Sequence, residues 1–476
     1  MNDEKKDTSK ETAGKKTENK LDRRDFLQGL ATAPVLGIFG YALAKEIGYQ
    51  NAQKAAYEAT KEVDPNLPEL NVALIGYGGQ GEVLLNAMLN IPKLRFRAVC
   101  DIWTEYSLRR VVNLLSRYDF EVNGYEDYRE MLDTEKDLDA VVIASPDFWH
   151  ARHTIDCLQA GLNVYCEKEM SNNLEDARQM VLTARETGKL LQIGHQRRSH
   201  PRYIHSYEKI IKEADMLGRI VTVNGQWNRS VQEDLTWSDR YAIPNSRLQK
   251  YGYGSMQQFR NWRWYKGLGG GPIVDLGSHQ LDIYNWFLES RPKSLIASGS
   301  TDYYPKETHE WYDTVMVVLE YETERGPAKA YYQTQTTNGS LGYFENFMGI
   351  DGTLVISESE AANSGSVYRQ PTATPWDEWV QKGYITAPKM QTISAESDAL
   401  LDVRETMSPD EHEIPIVLRD PYHQPHLENF FNAIRGLEEL NCPAEIGYET
   451  AVTVLKVNEA IEAGRRLTYN PGEFEV

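Results

Sequence analysis

Short apolar runs bounded by turn residues recur through residues 68–195, and amphipathic stretches separate them. Such runs are typical of buried strands in a parallel sheet, and the stretches between them are typical of crossover helices. Two predicted helices, from about Ala151 to Ala160 and from Leu174 to Thr187, each end at a glycine. The predicted strands are Val72–Ile75, Phe96–Cys100, Asp139–Ala144, Asn163–Cys166 and Leu190–Ile193.

The pattern changes after residue 195, where strand-like runs follow one another without a regular helix between them. These runs predict a mixed or antiparallel sheet with helices on one face. Residues 357–420 are polar and irregular, and we interpret them as an elaboration over the surface or the cleft. Amphipathic helices are predicted at Pro425–Gly436 and Tyr448–Gly464. The predicted strands are Ile220–Trp227, Ser294–Ser300, Thr314–Tyr321, Ala328–Thr336 and Phe344–Ile356.

A glycine-rich turn follows the first predicted strand and gives the chain its clearest chemical motif. Gly76, Gly78 and Gly81 form G-x-G-x-x-G, with Gly79 and Gln80 between them. The first glycine permits a tight turn, and the second lets a diphosphate approach the backbone. The third lets the helix pack close to the strand. The next strand leads to Asp101, about 20 residues after the last glycine, where a carboxylate can bind an adenosine ribose.

This order of strand, glycines, helix, strand and acid predicts an N-terminal Rossmann dinucleotide-binding domain. The whole chain is therefore expected to be α/β, with a C-terminal α+β domain built on an open, mostly antiparallel sheet. Asp101 favours NAD over NADP because a carboxylate repels the 2′-phosphate of NADP. Arg109 and Arg110 lie beyond it and keep NADP as the lesser alternative.

Composition narrows the classes of partner. The 476 residues carry a net charge of −19, which argues against nucleic acid or an anionic membrane surface as partner. The four cysteines form neither a disulfide framework nor a zinc motif, so we expect buried free thiols. His195, His200 and His205 match no common ligand spacing, and no metal is expected.

The N-terminus resembles a twin-arginine export signal. Arg23 and Arg24 precede a largely apolar run from Gly29 to Ala44, which is shorter than a membrane span. We therefore expect a periplasmic protein without a stable membrane span in its mature form. The expected organisation is a signal peptide at 1–44, a linker at 45–67, the Rossmann domain at 68–195 and a substrate and oligomerisation domain at 196–476.

Four sequence blocks together resemble the Gfo/Idh/MocA oxidoreductases, the family of glucose–fructose oxidoreductase and inositol dehydrogenase. They are the glycine turn, Ser145-Pro146-Asp147 with His150, Glu167-Lys168, and the long block from Gly269 to Asp282. The family usually has proline after Glu-Lys, whereas this chain has Glu169. A cis peptide bond is rare before a residue other than proline, so we expect a different presentation of Lys168, with Glu169 near it.

Hydride transfer from a carbinol requires a base for the hydroxyl proton and a donor for the developing carbonyl oxygen. Asp275, His279 and Asp282 are spaced to share one helical face, and Lys168 follows a strand end. His279 suits the base, Lys168 the donor, and Asp275 an orienting role, as the resemblance also implies.

The remaining site predictions divide between nucleotide and substrate. Aromatic faces stack on sugar C–H surfaces, so the aromatic-rich stretch after residue 199 favours a carbohydrate pocket. The expected nucleotide contacts are Gly76, Gly78, Gly79, Gln80, Gly81, Asp101, Ser145, Asp147, Trp149, His150, Glu167, Lys168 and Gln196. The expected substrate contacts are Arg197, Tyr203, Trp227, Trp264 and Asp282.

Three functions fit this pattern. The leading one is an exported NAD-dependent dehydrogenase that oxidises a ring hydroxyl of a sugar or glycoside, at C3, with a tightly bound nucleotide. The second is a hydrolase like glycoside hydrolase family 109, which uses transient oxidation and needs a second base, such as Tyr203 or a tyrosine between Tyr241 and Tyr265. The third is a non-catalytic sugar sensor. The resemblance also implies a homodimer or homotetramer.

Overall fold

Two sheets organise the part of the chain that the structure, a computed structural model, describes: residues 65–359, 365–389 and 409–476. The predicted export signal at 1–44 and most of the predicted linker at 45–67 lie outside these residues. Within the described ranges, no helix is both long enough and apolar enough to cross a membrane.

The first sheet is the predicted parallel sheet, with six strands in the order β3-β2-β1-β4-β5-β6. Strand order reverses between β1 and β4, and in open α/β sheets ligands bind outside the carboxyl ends of the strands at that point. The strands are β1 (Leu70–Ile75), β2 (Leu94–Cys100), β3 (Asn123–Tyr125), β4 (Ala140–Ile143), β5 (Asn163–Cys166) and β6 (Leu191–Ile193). Its helices are α1 (Gly79–Met88), α2 (Arg109–Ser116), α3 (Tyr128–Thr134), α4 (Asp147–Gln159) and α5 (Leu174–Thr187).

The second sheet has nine strands, of which only the β7–β10 pair is parallel. It confirms the predicted open, mostly antiparallel sheet. The strands are β7 (Ile220–Asn228), β8 (Pro292–Ser300), β9 (Thr314–Thr323), β10 (Gly326–Gln335), β11 (Tyr343–Gly349), β12 (Gly352–Ile356), β13 (Gly365–Arg369), β14 (Asp410–Glu413) and β15 (Leu467–Thr468). The helices that follow β6 in the chain are α6 (Pro201–His205), α7 (Asn245–Lys250), α8 (Met256–Arg260), α9 (Gly271–Asp275), α10 (Gly277–Leu288), α11 (Asp377–Gln381), α12 (Gln424–Ile434) and α13 (Ala444–Ala463).

Three predicted elements need correction. The single strand predicted at Phe344–Ile356 is a hairpin, β11 and β12, because the chain turns sharply between Gly349 and Gly352. The irregular stretch 357–420 contributes β13 and β14, which extend the sheet, and also α11. Helix α4 begins at Asp147 rather than near Ala151, because Pro146 supplies the extended residue before its first turn.

The C-terminal helices return to the first sheet. Helix α12 packs against α1 and β5, and α13 packs against α5 and β6 as well as β8. The Gln192 side chain donates to the carbonyl of His426 at 2.7 Å, and the Ile193 backbone N–H donates to the carbonyl of Cys442 at 3.0 Å. The chain from residue 424 onward therefore packs against both sheets. It also holds His423, the residue before α12, close to Gln80 of α1.

The four cysteines are free and buried, as expected. Burial raises the pKa of each thiol, and Cys157 and Cys442 are completely enclosed. A thiol whose pKa is raised stays protonated and is a poor nucleophile. These cysteines are packing residues of the core.

Candidate active site

The glycine turn after β1 has the shape that a dinucleotide requires. Gly76 has φ +90°, and a Cβ there would lie 2.7 Å from the carbonyl oxygen of Ala144. A Cβ at Gly81 would lie 2.1 Å from the carbonyl oxygen of Gly76. At Gly78 or Gly79 a Cβ would meet no atom of the described chain within 4 Å. The turn is thus closely packed against backbone at Gly76 and Gly81 and open at Gly78 and Gly79, where a diphosphate can approach. A dinucleotide therefore fits this turn.

Substituting two of these glycines separates their roles. We expect Gly81→Ala to destabilise the turn and to abolish measurable NAD binding, because its methyl group collides with backbone. Gly79→Ala is the matched control, since its methyl group enters open space, and it should lower the melting temperature far less. Thermal unfolding and NAD titration measure both effects. Equal melting temperatures for the two variants would contradict the assignment.

Asp101 follows β2 and lines a cavity of about 1120 Å³ next to the glycine turn. Its Oδ2 accepts the backbone N–H of Tyr77 and its Oδ1 that of Trp103, each at 2.7 Å. Burial raises the pKa of Asp101, while these two hydrogen bonds lower it and offset part of the rise. The carboxylate is held at the cavity edge with lone pairs left for ribose hydroxyls. Neither Arg109 nor Arg110 lines the cavity, and Arg110 pairs with Glu82 at 3.1 Å.

A second cavity, of about 1660 Å³, adjoins the first. Gln80, Glu167 and Lys168 line both, so they mark the place where the two cavities meet. Asp275 and His279 line the second cavity. Lys168 therefore lies between the cavity predicted for the nucleotide and the cavity that contains the other predicted catalytic residues.

Lys168 is held by Asp275. The ammonium donates to the backbone carbonyl of Asp275 and lies 3.2 Å from its Oδ1. Arg263 Nε lies 3.3 Å from the same oxygen. Burial would raise the pKa of Asp275, but the positive charge of Lys168, followed by that of Arg263, outweighs burial and holds the pKa below its ordinary value. Asp275 is therefore ionised and orients Lys168.

The expectation that the absence of proline changes the backbone before residue 169 is wrong, and the charge of Lys168 acts on Glu169 without an ion pair between them. The Lys168–Glu169 peptide bond is cis although proline is absent. Glu169 is buried, and its Oε1 accepts the backbone N–H of Met170 at 2.8 Å. Lys168 is thus paired with Asp275 rather than with Glu169.

Glu169 makes the stability of the protein depend on pH. Burial, the largest cause, raises the pKa of Glu169 from 4.5 to about 8. Between these values the unfolded chain has released the proton while the folded chain retains it. A rise in pH in that interval therefore favours the unfolded state.

We expect Glu169→Gln to remove this dependence, because glutamine carries no ionisable proton. Its melting temperature relative to wild type should rise between about pH 5 and about pH 8. Glu186→Gln, at an exposed position of α5, is the control and should show no such trend. Differential scanning calorimetry across this interval measures the effect. A constant difference between Glu169→Gln and wild type would refute the buried neutral carboxyl.

His279 is 6% exposed and lies on α10, one helix after Asp275. The chain breaks helical geometry at Leu276, so the predicted single helical face is two short helices. Burial and then the charge of Lys168 lower the pKa of His279 well below its ordinary value. The imidazole is neutral, and its Nδ1 has no hydrogen-bond partner among the described residues. The neutral ring can accept a proton at this nitrogen, and the lowered pKa makes it a weaker base than an exposed histidine.

The loop from Ser145 to His150 lies at the first cavity, as predicted. The two ring nitrogens of His150 lie 2.7 and 2.6 Å from the carbonyl oxygens of Glu169 and Ser145, and the single N–H of the neutral ring donates to one of them, which positions the loop. Trp149 Nε1–H donates to the carbonyl of Tyr251 at 3.1 Å. Burial raises the pKa values of Asp147 and Glu167 to about 7.

Trp227 and Trp264 line the second cavity, as predicted for substrate contacts. Gln196, predicted as a nucleotide contact, also lines the second cavity and not the first, which corrects that prediction. Trp227 stacks on Tyr343 with ring centres 4.5 Å apart and lies 5.5 Å from the ring of His279. Gln196 Nε2–H donates to Glu358 Oε1 at 2.9 Å. The cavity wall therefore offers an aromatic surface beside the histidine.

The structure does not bring Arg197, Tyr203 and Asp282 to either cavity, which corrects their prediction as substrate contacts. Arg197 is buried and ion-paired with Glu345 and Glu358. The Tyr203 hydroxyl donates to Glu345 at 2.6 Å. Asp282 accepts from Arg198 at 2.8 to 3.0 Å and from Thr450 at 2.9 Å. These residues hold the core behind the site.

Several cavity residues were missed in the sequence. Tertiary packing brings them together from several loops, from β11 and from α8, and only the three arginines carried a local signal, the aromatic-rich stretch. They are Arg229, Arg260, Arg263, Tyr343, Glu358, Tyr422 and His423. His423 lies before α12 and contacts Gln80 at 3.3 Å, across 343 residues of chain.

Two models of one family match successive parts of the chain. The first, described as "Oxidoreductase family, NAD-binding Rossmann fold", matches residues 70–195. The second, described as "GFO/IDH/MocA C-terminal domain", matches residues 209–353. Together they cover more than half of the chain, and the two observed sheets have the corresponding architecture. The chain belongs to the Gfo/Idh/MocA family of oxidoreductases.

Individual relatives match only part of the chain, at modest sequence identity. Inositol 2-dehydrogenase of Rubrobacter xylanophilus is 31% identical over 230 residues, which are 48% of this chain and 55% of that protein. Glycosyl hydrolase family 109 protein 2 of Shewanella sp. (strain ANA-3) is 28% identical over 173 residues, which are 35% of this chain and 38% of that protein. The chain thus spans about half or less of the length of these relatives.

A solved structure supports the fold. The WlbA dehydrogenase from Bordetella pertussis, in complex with NADH and UDP-GlcNAcA, superimposes with a TM-score of 0.59. The match covers 84% of this chain and 99% of that chain at 18% identity. Likeness at this identity concerns the fold alone.

Proposed function

We propose that the protein is an NAD(P)-dependent dehydrogenase that oxidises a CH–OH group of a sugar or glycoside. One observation carries the proposal: Lys168, fixed by Asp275, stands where the nucleotide-shaped cavity meets the cavity that holds His279. Membership of an oxidoreductase family supports it.

The residues of the second cavity suit the proton transfer that accompanies oxidation of a hydroxyl group. Neutral His279 accepts the hydroxyl proton, and the Lys168 ammonium donates a hydrogen bond to the oxygen as it becomes a carbonyl. Asp275 holds the Lys168 side chain in place. A bound nicotinamide supplies the hydride acceptor. Burial of His279 and Asp147 limits water at the reacting atoms.

The cavity wall supports a sugar as the substrate. Trp227 and Tyr343 offer a stacked aromatic surface for sugar C–H groups. The carboxylates of Asp275 and Glu358 line the same cavity and can accept hydrogen bonds from neighbouring hydroxyls. A C3 hydroxyl, flanked by hydroxyls on both sides in a hexoside, suits this arrangement.

The proposal extends to cofactor, location and assembly. NAD is favoured because Asp101 would repel a 2′-phosphate. The proposal of export through the twin-arginine route rests on Arg23, Arg24 and the apolar run after them. Export favours a nucleotide that stays bound and returns to its starting redox state on the protein. A homo-oligomer formed through the second sheet is supported by Ile296, Met316 and Val318, which are exposed on adjacent strands β8 and β9.

The second candidate is a glycosidase with transient oxidation. A glycosyl hydrolase family 109 relative favours it, as does a further carboxyl group in the substrate cavity. Tyr203 is buried away from that cavity, and Tyr251 and Tyr253 line the first cavity instead. Glu358 lines the substrate cavity and is the better placed base. Burial raises the pKa of Tyr343 to about 12, so its hydroxyl stays protonated at neutral pH and is poorly suited to that role.

One experiment separates the two candidates. Purified protein is incubated with glucosides, galactosides and N-acetylhexosaminides, with and without a keto-sugar as hydride acceptor, and mass spectrometry follows the products. We expect a glycoside lighter by two hydrogens that appears only with the acceptor. Free aglycone and unoxidised sugar without acceptor would establish the glycosidase instead. If all glycosides are unchanged, the dehydrogenase proposal fails for these classes.

A further inference from the structure

A segment of the second domain covers the first cavity. We call residues 229–270, which connect β7 to α9, the cover segment. Its residues Tyr251, Tyr253, Phe259 and Arg260 line the cavity together with the glycine turn and Asp101. The nucleotide cavity is therefore built from both domains, whereas the sequence placed all but one of its residues before residue 196.

Polar contacts at two places hold the cover segment against the segments that follow β2 and β3. Arg247 donates to both oxygens of Glu105 at 2.5 and 2.6 Å and to Glu126 at 3.2 Å. Trp103 Nε1–H donates to the carbonyl of Tyr241 at 2.5 Å. Around these contacts an apolar cluster forms from Trp103, Ile243, Leu248, Tyr251, Tyr253 and Met256. The segment is thus an ordered wall of the cavity.

Arg260, the last residue of α8, differs from the other arginines of this wall. Arg247 is paired with Glu105, and Arg263 with Asp275. Arg260 has no carboxylate within 4 Å among the described residues, and its buried Nε has no hydrogen-bond partner there. Its guanidinium lies 5.0 Å from the ring centre of Trp103, which fixes the direction of the side chain.

The surroundings of Arg260 favour an anionic ligand. Burial is the largest influence on its charge and lowers its pKa, while nearby Tyr106 and Asp101 act in the opposite direction. Asp101 attracts the guanidinium, but the two groups form no ion pair within 4 Å among the described residues. A guanidinium without a partner beside a cavity is suited to phosphate oxygens.

The position of Arg260 indicates which part of a dinucleotide it meets. Asp101, at the adenosine end, lines only the first cavity, whereas Arg260 lines both cavities, as Lys168 does. The diphosphate joins the two ends of the molecule, so it must pass between Asp101 and Lys168. Arg260 lies along that path, and Gly78 and Gly79 leave the glycine turn open to the same cavity.

We propose that Arg260 of the cover segment binds the diphosphate of the dinucleotide, in addition to the glycine turn. The assignment rests on the proposed nucleotide-dependent function and deepens it. It makes nucleotide affinity depend on the substrate domain. A nucleotide held in this way leaves only after the Arg260 contact is broken, which favours its retention between turnovers.

The test uses the full chain freed of nucleotide by charcoal treatment, with binding measured by isothermal titration calorimetry. We expect Arg260→Gln to weaken ADP-ribose binding about 10- to 100-fold, the range for a lost charge-assisted hydrogen bond. Adenosine binding should be unchanged, and Arg260→Lys should restore part of the loss. Arg240→Gln, an exposed arginine of the same segment, is the matched control and should behave as wild type.

Three results would overturn the assignment. Equal ADP-ribose affinity in Arg260→Gln and wild type would remove the proposed contact. An equal loss for adenosine and ADP-ribose would mean that Arg260 acts only through its packing on Trp103. A loss confined to 2′-phospho-ADP-ribose would place Arg260 at the adenosine ribose. If wild type binds neither ADP-ribose nor its 2′-phosphate, the proposed function itself fails.

Discussion

Replacing Lys168 with methionine is expected to lower kcat about 10³-fold, within the range for loss of a positioned proton donor. Methionine preserves much of the length of the side chain but cannot donate a hydrogen bond to the reacting oxygen. Asp275 keeps Arg263 as a partner at 3.3 Å, so the helix it terminates should remain in place. Steady-state kinetics on the substrate identified by the glycoside panel measures the loss.

Two further measurements make this result specific. Nucleotide affinity should fall far less than kcat in Lys168→Met, because Lys168 is only one residue of the first cavity and the glycine turn and Asp101 are untouched. Lys136→Met, which removes an exposed lysine of the first domain, should retain wild-type kcat. Full activity in Lys168→Met would exclude Lys168 from the reaction, and a loss of nucleotide binding equal to the loss of kcat would make its role one of binding.

The largest effect on stability is expected from Arg197→Met. The substitution leaves Glu345, which is fully buried, without its cationic partner, and removal of one member of a buried ion pair costs about 3–5 kcal/mol. Arg197 also lies 5.5 Å from the ring centres of both Trp227 and Tyr343, so the aromatic wall of the second cavity loses a support. Urea unfolding followed by circular dichroism measures the change.

The double variant Arg197→Met/Glu345→Gln separates lost charge balance from lost packing. It should be more stable than Arg197→Met alone, because the uncompensated carboxylate is gone. Arg185→Met is the control for an exposed ion pair, with Glu445 at 2.9 Å, and should cost less than about 1 kcal/mol. If Arg197→Met and Arg185→Met unfold at the same urea concentration, the buried network does not stabilise the fold.

Elements with a strong local signal were predictable. The strand Asn163–Cys166 and the helix Leu174–Thr187 have the predicted bounds, because apolar runs and a terminal glycine mark them in the sequence. The hairpin of β11 and β12 was predicted as one strand, because both halves are apolar and the turn between them is short. Strands β13 and β14 were missed because they pair across 41 to 47 residues and carry little periodicity.

The residues of the candidate site also divide into those that were predictable from the sequence and those that were not. Gly76, Asp101, Lys168, Asp275 and His279 were predictable, because they follow strands or lie in a dense motif, and the structure brings them to adjoining cavities. Arg260 and His423 were not, because only tertiary packing brings α8 and the loop before α12 to these cavities. Arg197 and Asp282 were misplaced for a related reason, since sequence proximity to the motifs does not tell which way a side chain points.

Direct observation of hydride transfer tests the central claim most simply. The nucleotide-loaded protein is mixed with glycosides of the panel carrying hydrogen or deuterium at C3, and the near-ultraviolet absorbance of reduced nicotinamide is followed in a single turnover. We predict that at least one glycoside reduces the nucleotide, that deuterium slows the step, and that Lys168→Met slows it further. A nucleotide that stays oxidised with every sugar would contradict the account, because the two cavities would then not serve one reaction.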